Sequence, residues 1–432
     1  MVPRRLRSAT ARAWATTGDW SSAALAEALR GERLHLKSSD HVPEFMYTAP
    51  HGRSSSTLLP DRSERSDELA MDGFEFFSSL GSLRKHTYFT APLSTLADGL
   101  LLPRAKGWES SIVFDPAKDD PRACQPWLQL WAATAGACTQ AHFDVADNVF
   151  VQLEGTKEFL IWPPKAAGDL QIFPDAHPRA RKSQRRIHHP SNGSITPEAV
   201  SVVLEPGDVL TLPAFWLHHV VSVTPCVSLN VFSESPCKLA AGEVLNHPLP
   251  LHPSWPLALR REGFAAFIHA LHERLGLSAY ALANRLLTTR YDPLSDHGDG
   301  ADGRGGEDPF SPPTRSRTRR RRGPPPPESL DELLVAIDAE ATECARGIDH
   351  LRATVFATAQ LYDERWRNDG AILNLGSHQQ GVGEGDAEYF DALCELTLMH
   401  ACELWAVKLF GTASLEQELR GLAGALRARE RA

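Results

Sequence analysis

Two side chains that can bind a metal stand two positions apart in the sequence, at His142 and Asp144. In a β-strand alternate residues project from the same face, so this spacing places an imidazole beside a carboxylate, with Phe143 on the opposite face. Such a pair supplies two of the three ligands of a 2-His-1-carboxylate triad, which holds iron(II) and leaves coordination positions open. The tripeptide alone is a weak signal, because a histidine two residues before an aspartate often occurs by chance.

A third ligand is supplied by the later segment LEPGDVLTLPAFWLHHVVSV. A Gly-Asp turn and a short strand lead there to Pro213, Trp216 and the adjacent pair His218 and His219. His218 lies 76 positions after His142, far enough for the intervening strands to bring the two imidazoles together across a barrel. The two segments together are more specific than either alone, and they predict a metal site.

The same two segments carry a resemblance to a known family. Residues 142–164, HFDVADNVFVQLEGTKEFLIWPP, and residues 205–232 resemble the JmjC (cupin-like) 2-oxoglutarate oxygenases. The tRNA wybutosine hydroxylase branch is the most similar, and the asparaginyl hydroxylase branch is next. The resemblance covers about residues 127–232, is weak upstream, and concerns only the architecture of the carboxy-terminal helices.

The resemblance implies which residues form the iron and co-substrate sites. The frame Pro-x-x-Trp-x-His selects His218 rather than His219, so the implied iron ligands are His142, Asp144 and His218. The far carboxylate of 2-oxoglutarate needs a cation, and Lys157, fifteen residues after His142, occupies the family's lysine position. The other implied co-substrate contacts are Thr139, Asn148 and Asn230, with Tyr88 of HTYF as a further phenolic candidate.

By this resemblance we expect an iron(II)- and 2-oxoglutarate-dependent dioxygenase, a hydroxylase that consumes dioxygen. The favoured substrate is a modified tRNA base, and the alternative is a protein side chain. A non-catalytic cupin module for binding or dimerisation is a third hypothesis, which the presence of every ligand and of the lysine disfavours. A structural zinc in the triad is disfavoured because three protein ligands with open positions are more typical of catalysis. Chromatin demethylation is disfavoured because no reader domain or zinc module is visible in the sequence.

A basic loop between two predicted strands bears on the choice of substrate. It contains Arg179, Arg181, Lys182, Arg185 and Arg186, with His177, His188 and His189 nearby. A charge run is usually a solvated face, so we expect these side chains in solvent, with contact to substrate phosphates as the alternative. The net charge of −9 argues against a protein coated in nucleic acid.

The composition of the 432 residues is that of a globular protein, with 42% hydrophobic and 23% charged residues. No apolar run approaches the roughly 18–20 residues that a membrane span needs. Seven cysteines without a CxxC pair argue against a disulfide scaffold or a cysteine zinc cluster, and they favour a reducing compartment, the cytoplasm or the nucleus. Residues 1–18 are predicted to be a flexible basic terminus, with an organelle-targeting segment as the alternative.

The distribution of apolar residues predicts the fold class. Short apolar or alternating runs bounded by Gly, Pro or Asn fill residues 127–232, and they indicate an antiparallel barrel or sandwich. The resemblance implies a double-stranded β-helix (cupin or jelly-roll barrel), so the chain is predicted to be mostly β with flanking helices. The predicted regions are 1–18, a mixed α/β region at 19–126, the catalytic core at 127–235, a helical extension at 236–293, a linker at 294–328 and carboxy-terminal helices at 329–432.

Helical spacing begins after the barrel. The capping box Ser329-x-x-Glu332 starts a predicted helix whose apolar face comprises Leu330, Leu334, Ile337, Cys344, Ile348 and Leu351. The linker before it is rich in Gly, Pro and Arg, and we expect it to be disordered. Another helix is predicted at 386–410. These helices are a candidate homodimer interface, and a cap on the subunit's own barrel is the alternative.

Overall fold

Fourteen strands form two β-sheets in a computed structural model, which describes residues 1–6, 18–39, 44–45, 67–105, 108, 126–177, 179–185, 187, 199–296, 324–366, 370–372 and 382–431. The strands are β1 Arg4–Leu6, β2 Arg33–Ser39, β3 Glu44–Phe45, β4 Asp67–Asp72, β5 His86–Pro92, β6 Trp127–Ala133, β7 Cys138–Phe143, β8 Asp147–Glu154, β9 Lys157–Trp162, β10 Val200–Leu204, β11 Val209–Leu212, β12 Leu217–Ser222, β13 Cys226–Ser233 and β14 Gly370–Ile372.

The strand order is that of a jelly roll. One sheet runs β14-β1-β11-β8-β13-β6-β5-β2-β4, and the other runs β10-β9-β12-β7-β3. Among the described strands every pairing is antiparallel except that of β3 with β7. Phe150 of β8 meets Phe159 of β9 edge to face at 4.8 Å between ring centroids, so the two sheets pack on one another. The predicted antiparallel jelly-roll fold with helices after it is confirmed, as an open sandwich rather than a closed barrel.

The burial pattern of each strand follows from its place in a sheet. β10 alternates exposed with buried side chains, as a strand with one solvated face does. β13 lies between β8 and β6 and is buried along its whole length. The turn from β8 to β9 needs Gly155, because its φ is +71° and an added Cβ would lie 2.0 Å from the Pro225 carbonyl oxygen. This turn fixes where β9 begins, at Lys157.

Within the described residues, eight α-helices of seven or more residues accompany the sheets, and most of them follow the sandwich. They are α1 Ser22–Ala28, α2 Gly73–Ser79, α3 Pro236–Leu245, α4 Leu257–Leu275, α5 Ala279–Leu286, α6 Leu330–Trp366, α7 Val382–Phe410 and α8 Leu415–Arg429. A π-helical turn, Leu287–Tyr291, and a short helical segment, Asp292–Asp296, continue α5. The long helix α6 packs against both α3 and α4, and α7 contacts α3 and α6. None of the described helices is both long and apolar enough to cross a membrane.

Helix α6 begins at the predicted capping box. The backbone N–H of Glu332 donates to Ser329 Oγ at 3.1 Å, and the Glu332 carboxylate accepts from the N–H of Glu328. The predicted apolar face is wrong at its first turn, where Leu330 is 55% and Leu334 42% exposed while Leu333 is buried. Helices α3 and α4 pack against α6. In its first turn, only the side that carries Leu333 meets the core.

The first residues of the chain differ from the predicted flexible terminus. Strand β1 pairs with β11 and with β14, and Leu6 is buried. The Arg4 guanidinium forms an ion pair with Asp363 of α6. Two strand partners and a buried ion pair hold residues 1–6 in the sheet, an outcome that their basic composition did not reveal. Residues 7–17 lie outside the described residues.

The predicted linker at 294–328 is too wide at both ends. Residues 294–296 belong to the helical segment Asp292–Asp296, and the carbonyl oxygen of Pro324 accepts from Trp255 Nε1 at 3.0 Å. Residues 297–323 lie outside the described residues, and their disorder stays a prediction.

We expect replacement of residues 297–323 by a short Gly-Ser linker to leave the melting temperature nearly unchanged. Their composition offers little apolar surface to bury, so their removal should cost the folded state little. Calorimetry of the two proteins measures this. A clear fall in Tm would mean that this segment packs on the folded chain.

Candidate metal centre and adjoining pocket

Three predicted ligands converge at one end of the smaller sheet. His142 and His218 are register partners on the neighbouring strands β7 and β12, and Asp144 follows the end of β7. Asp144 Oδ1 lies 3.9 Å from His142 Nε2, and Asp144 Oδ2 lies 3.9 Å from His218 Nε2. One donor atom from each of the three residues lies within 4.8 Å of the others. Two imidazoles and one carboxylate at these distances are a donor set that fits a divalent metal ion.

Both imidazole rings are oriented in the same way. Nδ1 of His142 lies 2.7 Å from the carbonyl oxygen of Gln140, and Nδ1 of His218 lies 3.0 Å from that of Trp216. A carbonyl only accepts, so each Nδ1 carries the proton and each Nε2 keeps a free lone pair. Backbone carbonyls commonly orient metal-bound histidines through the second ring nitrogen. The rings are therefore prepared to bind a metal through Nε2.

The electrostatics of the site keep His142 neutral. Burial first, and then the neighbouring His218, lower the pKa of His142 to about 3, against the effect of the Asp144 carboxylate. A metal ligand must be the neutral imidazole, because the lone pair is otherwise occupied by a proton. His142 is thus in its ligating form throughout the physiological pH range.

The backbone after Asp144 is held by a strained loop. Phe215 has a φ of +67°, a conformation that non-glycine residues rarely adopt. Its N–H donates to the carbonyl oxygen of Asp144 at 2.7 Å, and the N–H of Ala214 donates to Asp147 Oδ1 at 2.9 Å. Strain of this kind concentrates at functional sites, where the surrounding structure maintains it. Here it fixes the backbone that carries the Asp144 carboxylate.

A cavity of about 200 Å³ adjoins the triad between the two sheets. All eight residues predicted for the metal and co-substrate sites line it. They are Tyr88, Thr139, His142, Asp144, Asn148, Lys157, His218 and Asn230. The cavity is also lined by Trp131, Phe143, Phe150, Phe159, Ala180, Arg181, Lys182, Val220 and Phe232.

Lys157 places a buried cation in this cavity. Only 4% of the residue is exposed, and its Nζ donates to Ser228 Oγ at 2.9 Å. Burial lowers the pKa of Lys157. Within the described part of the chain no carboxylate forms an ion pair with it, so a buried anion from outside would complete its environment. This is the environment that a dicarboxylate ligand requires.

The remaining predicted contacts form two polar pairs. Tyr88 Oη lies 3.4 Å from Thr139 Oγ1, and Asn230 Nδ2 donates to Asn148 Oδ1 at 3.0 Å. Asn230 Oδ1 and Trp131 Nε1 are buried without a hydrogen-bond partner. Buried polar atoms are nearly always satisfied in folded proteins, so these two indicate a site that is completed by a ligand or by water.

Ser228 and Trp131 were not predicted from the sequence. They are register partners on β13 and β6, and Ser228 directly contacts Lys157. A signal for Ser228 was present, because it stands two positions before Asn230 and therefore faces the same way. No comparable signal marked Trp131, since an aromatic residue in a strand is usually core.

The basic loop is not the solvated segment that its charges predicted. The N–H of Ser183 donates to the carbonyl oxygen of Ala141 at 2.8 Å, and the N–H of Phe143 donates to that of Arg181 at 3.2 Å. These bonds place the loop along the edge of β7, beside His142. We call residues 170–177 and 179–185 the site-wall loop.

Two predictions about individual residues of this region are corrected. His177 is buried and stacks on Phe173 at 4.4 Å, because its ring completes an apolar contact inside the loop. Lys182 pairs with His142 through a β-bridge and lines the cavity. His219, which the Pro-x-x-Trp-x-His frame does not select as a ligand, is buried. His188, His189 and Arg186 lie outside the described residues.

Known proteins resemble the part of the chain that carries this site. Residues 83–239 match the family described as a cupin-like domain. The tRNA wybutosine-synthesizing protein 5 of Danio rerio is 32% identical over 116 residues, which are 26% of this chain and 31% of that protein. The tRNA wybutosine-synthesizing protein 4 of Gibberella zeae is 28% identical over 138 residues, 32% of this chain and 12% of that protein.

A third relative has a different name. The lysine-specific demethylase JMJ31 of Arabidopsis thaliana is 27% identical over 115 residues, which are 25% of this chain and 21% of that protein. The chain thus matches less than a third of the length of each of these three relatives, and the likeness concerns the domain that holds the triad. The similarity of residues 83–239 is thus to a cupin-like domain.

Proposed function

We propose that this protein is an iron(II)- and 2-oxoglutarate-dependent dioxygenase that hydroxylates its substrate. The observation that carries the proposal is the triad of His142, Asp144 and His218, whose imidazoles each turn Nε2 toward the carboxylate. A buried cation, Lys157, stands in the adjoining cavity, as a co-substrate with a far carboxylate needs. The similarity to enzymes of tRNA modification supports the same reaction class.

The residues of the site have separate roles in this function. His142, Asp144 and His218 would hold the iron, and when bound it supplies the activation of dioxygen that couples oxidation of 2-oxoglutarate to hydroxylation. Lys157 and the hydroxyls of Ser228 and Thr139 hold the far carboxylate of the co-substrate. No side chain needs to act as a general base in this chemistry.

Apolar walls keep the reaction away from water. Phe150, Phe159 and Val220 line the cavity between the two sheets. In such a poorly hydrated space the attraction between Lys157 and a carboxylate is stronger than it would be at the surface. The same walls limit the side reactions that water would allow at the metal.

We infer that the substrate is a base in tRNA, on the strength of the rim of the cavity. Burial, and then the neighbouring cations Arg181, Lys37 and Arg179, lower the pKa of Lys182 to about 8, against the effect of the Asp144 carboxylate. Arg181 and Lys182 line the cavity, and these two cations offer a site for phosphates in a chain whose net charge is −9. A base near the metal would have its flanking phosphates at this rim.

A protein side chain is the competing substrate, since one relative is named as a lysine-specific demethylase. Release of succinate from 2-oxoglutarate in the presence of iron(II) separates the hypotheses. We expect stimulation by bulk tRNA and none by protein extract. Stimulation by protein extract alone would favour a protein side chain as the substrate. Absence of 2-oxoglutarate turnover with both tRNA and protein extract would favour the non-catalytic cupin module.

We expect Arg181→Ala to weaken tRNA binding without changing the Km for 2-oxoglutarate. Arg181 is exposed at the rim, and loss of one phosphate contact lowers the slope of log K against log salt by about 0.7–0.9. Binding titrations at several salt concentrations measure this slope. Arg346→Ala, which removes an exposed arginine from α6, is the matched control. Equal tRNA affinity and slope in Arg181→Ala would exclude this rim from the tRNA site.

A further inference from the structure

A buried ionic cluster joins the site-wall loop to the carboxy-terminal helices. Arg290 Nη1 in the π-helical turn lies 2.6 Å from Asp175 Oδ2 of the loop and 2.9 Å from Glu403 Oε2 of α7. The N–H of Asp175 also donates to Glu403 Oε2 at 2.9 Å. The three side chains are 4%, 8% and 0% exposed. Three charged groups with so little access to water strongly favour one arrangement of the loop.

The other limb of the loop is attached to the same helical turn. Gln184 Nε2 donates to the carbonyl oxygen of Arg290 at 2.8 Å. The backbone N–H of Gln184 donates to the carbonyl oxygen of Gln171. A single π-helical turn therefore holds both limbs. Such turns are rare and are frequent at functional sites.

Movement of this loop would displace residues at the candidate metal centre. Its bonds to Ala141 and Phe143 flank His142 on both sides along the chain. Lys182, at the tip of the same limb, pairs with His142 and lines the cavity. The arrangement of the loop thus determines the position of His142 and of the cavity wall that contains Lys182.

The cluster contains one more carboxyl group than a single guanidinium can neutralise. Burial would raise the pKa of Asp175, but Arg290 and then His400 outweigh burial and hold that pKa low. Burial raises the pKa of Glu403 to about 8, against the effect of Arg290 and with the help of Asp175. Glu403 Oε2 accepts from both Arg290 and the N–H of Asp175, so a proton on Glu403 would sit on the buried Oε1 and would leave Asp175 as the one carboxylate that faces the guanidinium.

Among the described residues, the titratable and charged groups around Glu403 belong to four neighbouring elements. Besides Arg290, Tyr291 of the π-helical turn lies against the Glu403 carboxyl. Helix α7 itself contributes Cys402 beside Glu403, and Glu395 and His400 near Arg290. Arg285 of α5 forms an ion pair with Glu395. Arg181 of the loop acts on His400 as well as on Lys182. These groups leave Glu403 as the acid that gives up its proton first above neutral pH.

We propose that protonated Glu403 is a positioning residue that latches the site-wall loop, and that loss of its proton releases the loop from the metal centre. The released proton goes to solvent, and two buried carboxylates then face one guanidinium. An uncompensated buried charge is costly, and the loop is the part of the cluster that can move into water. This inference rests on the proposed function only in taking the triad as the site that the loop serves.

The direction of the pH effect follows from proton linkage. Folded Glu403 keeps its proton up to about pH 8, whereas an unfolded glutamate loses it near 4.5. Between these values the folded state binds more protons than the unfolded state, so the stability contributed here falls as the pH rises. The latch is closed at pH 7 and open at pH 9.

Trypsin tests the latch without any ligand, because Arg179, Arg181, Lys182 and Arg185 are cleavage sites within the loop. We expect the rate of cleavage in the loop, corrected for the activity of trypsin, to rise about tenfold from pH 7 to pH 9, as the ionised fraction of Glu403 does. Glu403→Gln keeps the oxygen that accepts from the N–H of Asp175 and cannot ionise, so its rate should stay low at both values. Arg290→Ala should be cleaved rapidly at both.

A control and a second measurement make the outcomes distinct. Glu416→Gln removes an exposed carboxylate from α8 and should behave as the wild type does. At pH 7, Mn²⁺ should bind to Glu403→Gln as tightly as to the wild type and less tightly to Arg290→Ala. Equal pH dependence in Glu403→Gln and the wild type, or a wild-type loop that stays uncut at pH 9, would overturn the latch. Failure of the wild type to bind Mn²⁺ would instead count against the proposed function.

Discussion

Replacement of Asp144 with alanine is expected to abolish turnover of 2-oxoglutarate and to leave the fold intact. Asp144 contributes the carboxylate that faces both Nε2 atoms, and its side chain is partly exposed, so its removal leaves no cavity in the core. The loss should appear first as weakened Mn²⁺ binding, measured by calorimetry without co-substrate. Circular dichroism and the melting temperature of the metal-free protein should match those of the wild type.

A control variant distinguishes the loss of a metal ligand from the loss of a negative charge. Asp169→Ala removes an exposed carboxylate near the end of the short turn Pro164–Ala167, away from the cavity lining. It should bind Mn²⁺ and turn over 2-oxoglutarate as the wild type does. Wild-type turnover in Asp144→Ala would refute the assignment of the metal centre.

Lys157→Ala should raise the apparent Km for 2-oxoglutarate by roughly two to four decades. The change leaves the co-substrate carboxylate buried and unpaired, which costs about 3–5 kcal/mol by analogy with broken buried ion pairs. Mn²⁺ affinity should change much less, because Lys157 is not among the metal donors. Lys157→Arg should restore only part of the affinity, since a planar guanidinium does not fit a place shaped for an ammonium beside Ser228.

The matched control for this prediction is Lys165→Ala. Lys165 is exposed and pairs with Glu388 at the surface, where an ion pair contributes little. The Km of Lys165→Ala for 2-oxoglutarate should equal that of the wild type. An unchanged Km in Lys157→Ala would remove Lys157 from the co-substrate site and direct attention to Lys182 on the opposite wall.

The sequence could predict that His142 and Asp144 of the candidate metal centre lie together, because the geometry of this pair is local. Alternation along one strand places His142 beside Asp144, and the turn at Gly155 fixes the start of the strand that carries Lys157. His218 follows from the register of β12 on β7, which the spacing of the two segments allows. The alternation of side chains along a strand and the short connections between strands can be recognised in the sequence.

The site-wall loop could not be predicted, because its structure depends on distant residues. Its charges indicate solvent exposure, but Asp175 lies against Arg290 and Glu403, 115 and 228 positions away. Strand β1 is a similar case, since its partner β11 lies about two hundred positions later in the chain. Composition describes the average surroundings of a residue, whereas a buried ion pair or a strand partner is a single long-range contact.

The two binding functions of the cavity are divided between the two sheets. The three metal donors come from β7, β12 and the residue just after β7, all in the smaller sheet. The residues around the co-substrate come from both sheets, Lys157 and Thr139 from one and Asn148 and Asn230 from the other. Under the proposed function, a metal ion would link neighbouring strands of one sheet, whereas 2-oxoglutarate would lie between the two sheets. The binding free energy of 2-oxoglutarate would then add to the cohesion between the sheets, and separation of the sheets would release it while the metal donors stay together.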